Sequence, residues 1–186
     1  MVRLKTRWHN KEATHSFDQI AGALAYNIWK IAMNGVLNLE KADFETNSLK
    51  HRMEIIAEYL AFSVHLADRM TYEQFDENER MAFMSELVDK CAKHYEDNMR
   101  DIMGGGDYRK DFIELVNHRM GEYAECDYSA ENGPSFGMKR IFGEFVKEIL
   151  NDKDKEWIGQ QIIDAEVPEI VKHLRRAMPN LFSGAK

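Results

Sequence analysis

Three side chains with chemistry sit inside one of the most apolar parts of the chain. The stretch AEYLAFSVHLADRM, residues 57–70, carries Glu58, His65 and Asp68 among alanine, leucine, phenylalanine and valine. An acid and an imidazole on one helix can ligate a metal, exchange a proton, or pair with each other. Successive residues of an α-helix turn by roughly 100°. Glu54, Glu58, Ala61, His65 and Asp68 therefore share one narrow strip, whereas Ile56, Tyr59, Ser63, Leu66 and Met70 lie on the opposite face. Apolar residues cover most of the remaining circumference. This predicts a helix buried on more than one side, with a single polar seam. A buried carboxylate without a partner costs several kcal/mol, so the seam must meet water, a protein partner or a cation.

Three further segments offer the same chemistry. His94 and Asp97 repeat the His-x-x-Asp spacing, with His94 bordering an apolar stripe and Asp97 turned to solvent. Glu114 and His118 lie four apart, and so do Glu169 and His173, with Glu166 one turn earlier. Imidazoles and carboxylates on facing helices are the ligands of di-iron, di-manganese and some zinc centres. The bundle motif for such centres needs Glu-x-x-His twice, and this chain has Glu-x-x-x-His instead; it also lacks His-Glu-x-x-His. Four-residue spacing still puts both groups on one face. Glu58, His65, Glu114 and His118 are thus the candidate ligands for a divalent metal ion, in a bundle with oxidoreductase or hydrolase activity. The competing expectation is that the strips are solvated faces with helical ion pairs, and that the protein acts by binding a partner or by self-association. The second expectation leads, because the specific spacing motifs are missing. In either case Glu58 and His65 should face the interior or a small cavity, with Glu114 and His118 as candidate partners across the interface.

Other chemistry is thin. No serine lies in a Gly-x-Ser-x-Gly context. The glycines at 104–106 follow a helical pattern rather than a strand and precede Asp107, so they read as a helix stop and not as a phosphate loop. Cys91 sits on an apolar stripe, and Cys126 is flanked by acids that disfavour a thiolate. Two cysteines far apart, without a Cys-x-x-Cys pattern, fit free thiols in a reducing, cytoplasmic setting.

The elements that must position these groups are helical, with strand-like alternation nearly absent. Residues 1–15 read as an irregular arm and 16–182 as a single all-α domain, an antiparallel bundle of about six helices. Ser16 caps a helix to about Glu40, and Asn47 or Ser48 a second to about Thr71. Asp76 and Glu79 form a capping box for a third, to about Met103. A fourth runs from about Asp107 to Tyr128, a loop follows over 129–137, and a fifth spans about Pro134 to Asn151. Asp152 or Asp154 opens a sixth, which Pro168 should kink or restart and Pro179 should stop.

A net charge of −7 argues against nonspecific nucleic-acid binding, which depends on neutralising phosphates. The basic stretch VRLKTR reads as a solvated terminus. No apolar run approaches the length of a membrane helix. The first two helices look apolar around much of their circumference, which predicts a homodimer with Phe17, Trp29 and Met33 as candidate anchors. The competing prediction is that the later helices cover those faces. The 11 methionines read as flexible core filler.

Overall fold

The computed structural model describes residues 15–46 and 48–183. The N-terminal arm, with its basic stretch, and Asn47 lie outside them. Helices α1 (Phe17–Lys41), α2 (Leu49–Thr71) and α3 (Glu77–Met103) start where side chains satisfy the free N–H groups of a first turn. Ser16 and Asp76 each accept from the backbone N–H three residues on, with Gln19 and Glu79 reaching back to complete capping boxes. Ser48 accepts from His51. Gly104, at a φ of 81° that favours glycine, follows the last turn of α3.

Helix α4 (Tyr108–Ala124) ends four residues before the expected Tyr128. Tyr128–Ser129 instead pairs antiparallel with Gly133–Pro134, across a turn whose Ser129 hydroxyl accepts from the Asn132 N–H. Ser135 then caps α5 (Phe136–Ile149). The next helix starts later than the aspartates suggest. Residues 151–157 form turns, and Asp154 is buried because its carboxylate accepts from the Glu45 N–H at 2.7 Å, tying this loop to the one between α1 and α2.

Pro168 does restart a helix. Helix α6 (Ile158–Gln161) passes into a π-helical turn, Ile162–Glu166, and then into α7 (Val167–Phe182). A proline at 168 has no N–H for the carbonyl four residues back. The wider turn routes the bond from the Val167 N–H to the Ile162 carbonyl, so the chain stays helical. Pro179 does not stop α7, which runs to Phe182. Leu181 is buried in the core and Phe182 packs against Phe75 and Phe83, so tertiary burial holds the extra turn.

Helix α2 is the axis of the molecule. It touches α1, α3, α4, α5 and α7, and every residue from Ile55 to Ala67 is buried. Phe62 stacks on Phe142 of α5 with centroids 4.3 Å apart. The all-α architecture matches the periodicity. Among the described residues, no helix is long and apolar enough to cross a membrane.

Two of the three proposed dimer anchors are used within the chain. Phe17 packs edge-on to Phe75 and Phe83, and Trp29 is buried beside His94. Helices α3 and α7 cover the apolar faces of α1, and Met33 alone of the three is exposed.

Candidate functional site

Glu58 and His65 are both buried, at 4% and 1% exposure, as their apolar flanks require. Their expected partners are elsewhere. The Glu114 and His118 side chains are largely exposed, beside Lys110 and Glu122 respectively. The four do not converge, and among the described residues no three His, Cys, Asp or Glu side chains gather as metal ligands would. The reason is one residue along α4: Arg119 turns inward where His118 turns out. Its Nε donates to Glu58 Oε2 at 2.8 Å and its Nη2 to Glu58 Oε1 at 2.7 Å. This two-pronged geometry is the strong form of an ion pair. The Arg119 guanidinium also lies 3.5 Å from the centre of the Phe145 ring. Burial lowers the Arg119 pKa and Glu58 more than restores it. Glu58 also borders a cavity of about 280 Å³ with Glu54, Tyr95 and Asp111, but its charge is already met.

His65 is a different case. Arg69 Nε donates to His65 Nε2 at 3.4 Å, so that nitrogen is the acceptor and the ring is neutral. The other nitrogen, Nδ1, is buried without a partner among the described residues. Burial, helped by the Arg69 charge, pushes the His65 pKa down to about 4. Asp68, on the same strip, accepts both its bonds from Arg80, at 3.2 and 3.3 Å.

On the far side of α2 lies an arrangement that the strips did not expose. Tyr59 follows Glu58 by one residue and so points about 100° away. Its ring fits against α1 because residue 35 is glycine; a Cβ there would overlap three Tyr59 ring atoms. Tyr59 and Gly35 line an open cavity of about 250 Å³ between the last turns of α1 and the first turns of α7. Glu166, the last residue of the π turn, reaches it from just before α7 and is 3% exposed. Asn34 and Asn38 come from α1, with Lys41 beyond them; Glu169 and His173 come from α7. The polar strip of Glu166, Glu169 and His173 is therefore a cavity wall.

The polar groups in this cavity are incompletely met. Glu166 Oε1 accepts from Gln161 Nε2 at 3.0 Å. Among the described residues no cation pairs with Glu166. Burial raises its pKa, and the amides of Gln161 and Asn38 and the Tyr59 hydroxyl oppose that rise. The Tyr59 hydroxyl is fully buried and makes no hydrogen bond of proper geometry among the described residues; burial, and then the nearness of Glu166, push its pKa up. By contrast Glu169 is matched: Lys172 donates to it at 2.9 Å, His173 lies at 3.6 Å, and its pKa is lowered, chiefly by the bond from Lys172.

A second groove adjoins the first. Ile31, Asn34 and His173 line both, and Asn27, Lys30, Arg176 and Asn180 extend the line toward the start of α1. Asn27, Asn34 and Asn38 recur at seven and four residues, so one amide stripe of α1 faces the groove. A wider depression, of about 800 Å³, lies between the end of α2, the short hairpin and α7. Its arginines are committed to structure: Arg175 donates to the Ala130 and Glu131 carbonyls, and Arg69 to Ala124.

The fold and its cavities define an all-α bundle with a polar cleft between its first and last helices. Compared with known proteins, the chain matches no family model, no curated protein and no solved structure.

Proposed function

We propose that this protein is a binding module whose α1–α7 cleft takes a small polar ligand. The supporting observation is Glu166, a buried carboxyl in the lining of an open cavity that no cation meets among the described residues, beside a Tyr59 hydroxyl that is itself fully buried without a hydrogen bond of proper geometry. A buried polar group left unsatisfied costs about 1–3 kcal/mol, and helix packing alone gives no reason to keep one. Phenylalanine would fill the same space. Ser63, His65 and Tyr123 also carry unpartnered buried atoms, but none of them lines this cavity. Cavities with an apolar wall and a few converging polar groups are the usual form of small-molecule sites. The π turn that delivers Glu166 is a local distortion of a kind frequent at functional sites.

Self-association has less support, since α1 offers only Met33 and Leu37 as exposed large apolar side chains. The metal reading loses Glu58 to Arg119. Cys91 and Cys126 are both free, which supports a reducing, cytoplasmic setting. The test is a nuclear magnetic resonance titration with a panel of small amines, alcohols and carboxylic acids. Shifts centred on Gly35, Tyr59 and Glu166 are expected. Shifts centred on Glu58 and Arg119, or none at any position, would overturn the reading.

A further inference from the structure

The geometry points to a primary ammonium group as what the α1–α7 cleft recognises, with Glu166 as its counter-charge. This rests on the cleft being a binding site and names the chemical class of its ligand.

The inference follows from which charges in the cleft are met. Glu169 has Lys172 and His173, whereas Glu166 has neutral amide and hydroxyl neighbours, the like charge of Glu169, and no cation among the described residues. A carboxylate removed from water without a cation is the least stable charge in the cavity, so a cation brought beside it gains the most. Lys41 is also part of the lining and pairs with no acid among the described residues, which raises the opposite possibility of an anionic ligand. Position decides between them. Lys41 is exposed in the final turn of α1, where water and salt screen its field. Glu166 is on the floor, where the lower dielectric leaves its field stronger.

The acceptor inventory fits an ammonium. An –NH₃⁺ group has three donors and no acceptor. Glu166 Oε2 and the Asn34 and Asn38 amide oxygens are three acceptors in the cleft lining. A bare metal ion fits less well, since among the described residues a single buried carboxylate lines the cleft and no cluster of metal-ligating side chains gathers there. The Tyr59 ring, Ile31 and Ile170 supply apolar wall for an alkyl chain.

Calorimetric titration with n-butylamine, n-butanol and butyrate near neutral pH tests the inference, with Tyr59 ring resonances followed in parallel. The result expected is binding of butylammonium in preference to both controls, weakened about tenfold or more by Glu166→Gln, since bonds to a charged group exceed those to a neutral one. Gln keeps the shape and the acceptor for Gln161, and an unchanged melting temperature would show that the fold is retained. If butanol or butyrate shifts Tyr59 as strongly as butylamine, or Glu166→Gln binds butylamine equally well, the ammonium assignment is wrong while the cleft remains a binding site. If no probe shifts Tyr59, both fail.

Discussion

Glu58 and Tyr59 are neighbours on one helix, both buried, and the bundle treats them in opposite ways. Glu58 faces α4 and α5 and meets a two-pronged guanidinium, so its charge is satisfied within the chain. Tyr59 faces α1 and α7 and meets a cavity and an unpaired carboxyl. A closed polar network stabilises and orients helices. A network left open on one side leaves bonding capacity for a molecule from outside. The difference separates a structural polar core from a site, although the residue types alone make Glu58 the more suggestive of the two.

That contrast predicts a graded series of effects. The largest should come from Arg119→Ala, which strands the Glu58 charge. A loss of about 3–5 kcal/mol is expected for removing one partner of a buried pair, read from the urea midpoint. The double change Glu58→Leu with Arg119→Leu should recover much of it. If the single change costs nothing, Glu58 is not the structural member of the comparison.

Next in size is an acid sensitivity that belongs to the structural side. His65 is neutral and buried, with its pKa lowered from 6.5 to about 4. The unfolded chain then binds a proton that the native one refuses over that range. The contribution of neutral His65 is complete above pH 6.5 and is lost as pH falls toward about 4, on the order of 3 kcal/mol in all. Burial raises Asp68 and Glu166, which act in the opposite direction at lower pH. Comparison with His65→Leu isolates the imidazole: stability of the variant should fall less between pH 7 and 5. Parallel curves for the two proteins would remove His65 from the account.

Gly35→Ala should be milder and act on the open side. Its methyl group would overlap the Tyr59 ring, and overpacking a core typically costs about 1–3 kcal/mol. Displacement of the ring should also change the absorbance of Tyr59 and reduce butylammonium binding. A stable variant with unchanged affinity would mean that the glycine does not shape the cleft.

Much of the architecture was legible from local signals. The caps at Ser16, Ser48 and Asp76 mark their helices because side-chain and backbone bonding there is local. The burial of Glu58 and His65 follows from their apolar flanks. What periodicity could not supply is which residue of a neighbouring helix turns inward. His118 and Arg119 differ by one position, and only the rotation of α4 against α2 selects between them. The cleft was half visible: the strip of Glu166, Glu169 and His173 and the disruptive Pro168 are both plain in the sequence. Their meaning depends on a π turn and on a glycine on a distant helix, and neither has a local signature. Pro179 misled for a related reason, since the burial of Leu181 outweighs its helix-breaking tendency.

The most direct test of the contrast is Tyr59→Phe, because it removes one oxygen and leaves the shape. The hydroxyl has no proper hydrogen bond among the described residues, so its loss should leave stability unchanged or raise it by up to about 1 kcal/mol. Affinity for butylammonium should fall several-fold, because the hydroxyl stands behind the Glu166 carboxylate that meets the ligand. A drop in stability with affinity unchanged would show that the hydroxyl serves the fold, and would place Tyr59 with Glu58 rather than opposite it.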